Sequence, residues 1–131
     1  MMKMLAFAAP LAALMMTTTA MAADAAPTAG KPKRQCFWAN QVTSFAAVDE
    51  DTVNLRVGIK DVYQLEMLGP CHDVDWSNAI GIRSRGSSYI CSGLDIELIA
   101  PSTIGAGRCQ VQTMRKLTPV EIAALPKRGK P

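Results

Sequence analysis

Aromatic residues are only 5% of this 131-residue chain, charged residues are 19%, and there is one histidine. So few aromatics leave little for base stacking, and a nucleic-acid module is not expected. The length excludes (β/α)8 barrels, which need about 200 residues or more. At 49% hydrophobic the chain is too apolar to be disordered. It has no C-x-x-C pair. No G-x-S-x-G elbow surrounds Ser84, Ser87, Ser88 or Ser92, and no Lys-Ser/Thr follows Gly105-Ala106-Gly107. The common signatures of a zinc finger, a serine nucleophile and a phosphate loop are thus missing. No internal repeat is visible, and beyond the amino-terminal segment no apolar run approaches the ~20 residues of a membrane span.

What is present begins with an address. Lys3 precedes an apolar run from Leu5 to Met16, broken by Pro10, and small residues lead to Ala20-Met21-Ala22. A basic start, a short apolar core and an Ala-x-Ala site predict a signal peptide over residues 1–22, cleaved after Ala22, with a cut near Ala25 as the alternative. The expected destination is periplasmic or secreted. Of the net charge of +3, the signal carries +1, residues 23–34 carry +2 and residues 127–131 carry +3, so residues 35–126 carry −3. The domain proper is therefore acidic. The segments 23–34 and 127–131 read as a flexible basic linker and a basic tail, too sparsely charged for the ~4–8 cations of a lipid-binding cluster.

Residues 35–126 read as short strands. A first strand runs from about Cys36 to Phe45. Val53, Leu55, Val57 and Ile59 then alternate with Thr52, Asn54, Arg56 and Gly58, the period-two signature of a strand with one buried face. Tyr63, Leu65 and Met67 form the next apolar face, stopped at Gly69-Pro70. A short strand around Ile80 and Ile82 leads to a turn at Arg85-Gly86-Ser87. One long strand is expected from Tyr89 to Ile99, bent at Gly93, then a loop from Pro101 to Gly107 and a last strand from Cys109 to about Met114. Thr118-Pro119-Val120-Glu121 is a capping box, with Pro119 at the first helical position and Leu117 and Ile122 placed as a hydrophobic staple. It predicts a short helix ending near Leu125. The expected fold is mainly β: a small antiparallel bent sheet or barrel with a short C-terminal helix and two disulfides.

Cys36, Cys71, Cys91 and Cys109 all lie past the cleavage site, and an even number in a small exported domain predicts two bridges. In a meander, Cys36 and Cys71 fall at opposite sheet ends, which disfavours joining them. If the Arg85-Gly86 turn folds a hairpin, Cys91 comes opposite Ile80 beside Cys71. The expected pairs are thus Cys71–Cys91 and, by elimination, Cys36–Cys109.

The densest polar cluster is His72-Asp73-Val74-Asp75-Trp76. His72, Asp73 and Asp75 are candidates for a divalent metal or an acid/base pair, although a solvated turn explains both aspartates equally well. Arg83-Ser84-Arg85-Gly86 is a small basic patch at a hairpin tip, suited to an anionic glycan or nucleic acid or simply to solvent.

Several stretches resemble an uncharacterised family, a domain of unknown function, of small exported four-cysteine bacterial proteins. They are Arg34-Gln35-Cys36, Thr52-Val53-Asn54-Leu55-Arg56-Val57, Tyr63-Gln64-Leu65, Gly69-Pro70-Cys71 and Asp73-Val74-Asp75-Trp76. Further along come Ile90-Cys91-Ser92-Gly93, Arg108-Cys109-Gln110-Val111 and Leu117-Thr118-Pro119 with Glu121. The resemblance implies an exported domain and supplies no catalytic residue; similar sequences often carry an acid where Asp95 stands. The expectation is a monomeric, non-catalytic binding or structural protein of the bacterial envelope. It would need no cofactor, hold no membrane span once the signal is removed, and meet an unknown envelope protein or small ligand. Two rivals stand: a metal-dependent enzyme or metal-binding module using His72, Asp73 and Asp75, and an inhibitor of an exported hydrolase presenting loop 69–77 or 100–108.

Overall fold

The computed structural model describes residues 34–131; the expected signal peptide, its cleavage after Ala22 and nearly all of the linker lie outside the described residues. Eight strands and one helix follow in order: β1 (Phe37–Trp38), β2 (Val42–Ala47), β3 (Thr52–Val57), β4 (Asp61–Met67), β5 (Gly81–Ser84), β6 (Tyr89–Ile90), β7 (Ile96–Ser102), β8 (Gly105–Lys116) and α1 (Pro119–Ala124). Six strands form one antiparallel sheet in the order β2-β3-β4-β8-β7-β5, and β1 pairs with β6 in a separate ribbon. The sheet curls into a half-barrel, the mainly β, two-disulfide architecture expected from the sequence.

The apolar alternation decides which face turns inward. Val53, Leu55 and Val57 of β3, Tyr63, Leu65 and Met67 of β4, Leu98 and Ala100 of β7, and Val111 of β8 line one core with Phe37, Val74 and Ile90. Burial of such side chains stabilises by about 1.5–3 kcal/mol each. The alternation stops at Val57, not Ile59. Gly58 adopts φ +65°, turning the chain into β4, and Ile59 is left 90% exposed at the turn.

Three other expectations are corrected. The first strand breaks at a 3-10 turn over Ala39–Gln41. The long strand from Tyr89 to Ile99 is interrupted by a second 3-10 turn, Gly93–Asp95, capped by the Ser92 hydroxyl accepting from the Leu94 N–H. Gly93 packs on β8 so closely that a Cβ there would meet backbone atoms of Gln112 and Thr113 at 2.9 Å. The loop from Pro101 to Gly107 is largely sheet: β7 and β8 pair through Ser102↔Gly105, leaving Thr103 and Ile104 as a two-residue tip. Pro101 costs no ladder bond there, because its carbonyl accepts from Ser77 Oγ at 3.4 Å and so its amide side faces away from β8.

Both cysteine pairs also differ from expectation: the bridges are Cys36–Cys91 and Cys71–Cys109, not Cys71–Cys91 and Cys36–Cys109. The assumed hairpin at Arg85-Gly86 does not form. β5 pairs with β7 instead, and the chain after Gly86 crosses to pair with β1, Phe37↔Ile90 and Trp38↔Tyr89. Cys36 and Cys91 occupy the next position of that ladder, with Cα atoms 4.2 Å apart. β4 meets β8 at Met67↔Val111, and the Leu68 N–H donates to the Gln110 carbonyl at 2.8 Å. The chain leaving β4 thus follows β8 toward its start and delivers Cys71 to Cys109.

α1 forms as the capping box requires. The Thr118 hydroxyl accepts from the Glu121 N–H at 3.3 Å, and the Glu121 carboxylate accepts from the Thr118 N–H at 2.8 Å. The basic tail, residues 127–131, is packed on the fold. It folds into a 3-10 turn, Lys127–Gly129, against the outer face of β2 and β3. The buried Asn54 Nδ2 donates to the Gly129 carbonyl at 2.7 Å, and Arg56 Nε to the Pro131 carbonyl at 2.9 Å. This covering explains why Asn54, on the outward side of β3, is fully buried.

Candidate functional site

The segment between β4 and β5 is held as a rigid ledge. Cys71 ties it to β8, and Val74 is buried in the core. Successive turns close through Val74 N–H to Cys71 O, Trp76 N–H to Asp73 O and Ser77 N–H to Val74 O. Asp73 takes φ +64°, a left-handed conformation that aspartate tolerates better than most residues. Its carboxylate accepts from the Thr103 N–H at 3.4 Å, and Ser77 Oγ donates to its carbonyl at 2.7 Å. The ledge is thereby joined to the β7–β8 tip.

Trp76 stands on this ledge 77% exposed, and Ile104 at the tip is 98% exposed. Trp76, Asp73, Asn78, Pro101 and Thr103 line an open cleft of about 530 Å³. A second cleft of about 540 Å³, lined by Ile80, Gly81, Ile99 and Ala106, shares Ala79, Pro101 and Ser102 with the first. The two loops singled out in the sequence, 69–77 and 100–108, are therefore neighbours and form one surface.

His72, Asp73 and Asp75 do not converge. His72 Nδ1 lies 3.6 Å from Glu50 Oε2, and Asp73 faces Thr103. Asp75 has one buried carboxylate oxygen without a hydrogen-bond partner among the described residues. Among the described residues no group of three or more histidines, cysteines or acids could hold a metal ion. Gly105-Ala106-Gly107 opens β8 and makes no phosphate loop before a helix.

Asp95 is a positioning residue that sequence reasoning left without a role. Its carboxylate accepts from the Cys91 N–H at 3.2 Å, and its carbonyl accepts from the Arg85 N–H at 2.7 Å. It thus fixes one half-cystine and the arginine loop together. The only legible hint was an acid close behind Ser92-Gly93, the composition of a side-chain-capped turn. A second aromatic surface escaped the sequence: Trp38 and Tyr89, cross-strand partners on the β1–β6 ribbon, are half exposed with ring centroids 4.8 Å apart.

Shifted titrations lie away from the ledge. The Thr118 backbone N–H, and then the Arg115 guanidinium 2.7 Å away, hold the Glu121 carboxyl below the usual carboxylate range. Lys116 is raised by its hydrogen bond to Asp61, and the Tyr63 phenol is raised by burial against Phe37. These groups support strand and helix ends. No helix among the described residues is long and apolar enough to cross a membrane.

A family model, described as one of unknown function, matches residues 1–130. Neither a curated protein nor a solved structure matches the chain.

Proposed function

The chain belongs to DUF6491, a family of unknown function, and from that premise we propose that it is a non-catalytic binding domain of the bacterial envelope, exported by its amino-terminal signal and acting through the Trp76 ledge. Its two disulfides fit an oxidising compartment. The observation that carries the reading is Trp76, a large apolar side chain held in water on a loop locked by Cys71–Cys109 and Val74. Fixing the loop that carries it before binding lowers the ordering cost of association, and tryptophan is enriched among residues that dominate binding energy. The separate engagement of His72 and Asp73 supports a role without turnover.

A photo-crosslinking residue placed at position 76 or 104 of the full chain, in cells that export it, tests the reading. Adducts of one discrete mass at both positions are expected, with none from position 66 on the exposed side of β4. Trp76→Ala should abolish partner retention and leave the urea midpoint unchanged. Turnover of an envelope substrate by purified protein, abolished by His72→Ala, would overturn it.

The adjacency of loops 69–77 and 100–108 favours one more specific form of this reading, a hydrolase inhibitor presenting both loops to an active-site cleft. In that case the crosslinked partner is a hydrolase and loses activity on addition of the purified domain.

A further inference from the structure

Farther along the same outer face, β5, β7 and β8 carry a charged cleft of about 520 Å³ lined by Arg83, Arg85, Arg108, Glu97, Ser84 and Gln110. We propose that this cleft binds a phosphate group.

Register assembles it. Arg83 faces Glu97 across β5 and β7, Glu97 faces Gln110 across β7 and β8, and Arg108 faces Ile99 one step along. Arg85 follows β5 directly and is fixed through its N–H to Asp95 O at 2.7 Å. The cleft's guanidinium groups come from two separate chain segments, Arg83 and Arg85 from the end of β5 and Arg108 from β8, so strand register and not one charge run brings the third to the other two.

Their engagement differs from that of Arg56 and Arg115, the other two arginines on the sheet strands. Arg56 is committed to the Pro131 carbonyl, and Arg115 to Gln64 and Glu121. Arg83 lies 4.0 Å from the largely buried Glu97 carboxylate. Among the described residues Arg85 and Arg108 make no ion pair and no side-chain hydrogen bond. Three arginines against one glutamate leave the cleft with a charge of +2. Mutual repulsion of like charges goes uncompensated until an anion enters. Guanidinium forks match phosphate oxygens in bidentate geometry, and a phosphate dianion matches the net charge. Glu97 lies beside Arg83 and offsets one of the three charges, while the Ser84 hydroxyl and Gln110 amide add neutral donors.

The test uses the full, oxidised, isotopically labelled chain, with inorganic phosphate titrated at constant ionic strength. Saturable amide shifts are expected at residues 83–86, 97, 108 and 110. Arg85→Ala and Arg108→Ala should each weaken binding about tenfold, the loss of one charge-assisted hydrogen bond. Arg128→Ala, the same charge change on the exposed C-terminal turn, should change nothing. Both cleft variants remove exposed side chains, and an unchanged urea midpoint checks that they fold. A parallel arm adds phosphatidylglycerol vesicles. Competition between vesicles and phosphate for the same amides assigns the group to a lipid headgroup. Saturation by phosphate without vesicle binding assigns it to a soluble ligand. Unsaturable shifts in both arms, or equal losses for Arg128→Ala and Arg85→Ala, would overturn the proposal.

Discussion

Asn54 and Gly129 are joined by a buried hydrogen bond, Nδ2 to carbonyl at 2.7 Å, across 75 residues of sequence. That contact turns the outward face of β3 into an interior surface and makes the C-terminal segment part of the fold. Asn54→Ala leaves the Gly129 carbonyl unpaired, a cost of about 1–3 kcal/mol. Urea unfolding should show a lower midpoint at unchanged slope. Removing residues 126–131 should cost at least as much, since it also strands Arg56. An unchanged midpoint after that truncation would show the segment contributes nothing.

Gly93→Ala should destabilise by about 1–3 kcal/mol, because the new Cβ meets β8 backbone at 2.9 Å, and backbone yields less readily than a side chain. Gly69→Ala is the control: a Cβ there meets nothing within 4 Å and the backbone is not left-handed. Equal melting temperatures for the two variants would contradict the packing of the 93–95 turn on β8.

Replacing Cys36 and Cys91 together by serine, or Cys71 and Cys109 together, opens a covalent loop of 55 or 38 residues. Each pair should cost about 4 kcal/mol by chain entropy. The consequences differ locally. Loss of Cys71–Cys109 should raise amide exchange over residues 72–78, the Trp76 ledge, whereas loss of Cys36–Cys91 should raise it on the β1–β6 ribbon. Peptide mapping of the oxidised wild type should yield the 36–91 and 71–109 pairs.

The cap of α1 is pH-dependent in a fixed direction. Glu121 titrates below its unfolded value because its ionised form accepts the Thr118 N–H and meets Arg115. Its contribution is therefore complete above the ordinary carboxylate range, and it is lost as pH falls through the lowered folded value. Helical chemical shifts over residues 119–124 should collapse in that acid window, and in Glu121→Gln they should lose most of that dependence.

The sequence made β3, β4 and α1 readable because each is specified locally: strict alternation at Val53-Leu55-Val57, the Gly69-Pro70 stop, the Thr118/Glu121 box. Partner choice was not readable. β8 takes its place between β4 and β7 through Met67↔Val111 and Leu98↔Cys109, and several short apolar strands could have offered β4 an equivalent edge. The same ambiguity misdirected the cysteines, since the assumed hairpin at Arg85-Gly86 fixed Cys91 beside the wrong strand. In the candidate site, the ledge residues were visible as a cluster around Trp76. The arginine cleft was visible only as Arg83-Ser84-Arg85; Arg108 joins it by strand register, which composition and spacing do not carry. The packing of the basic C-terminal tail was not readable because its anchor, Asn54, read as an ordinary solvent-facing position.

The two bridges interleave: in chain order, the first cysteine joins the third and the second joins the fourth. On the proposed export route, a chain delivered amino terminus first into an oxidising space would present Cys36 and Cys71 before either native partner. Thiol exchange acts on whatever sulfurs are accessible, so the earliest bond open on that route would be one that the finished fold does not contain. On that route oxidation would either wait until Cys91, the partner of Cys36, has emerged or be undone by exchange, so correct maturation would depend on the timing of sulfur chemistry as much as on the stability of the sheet.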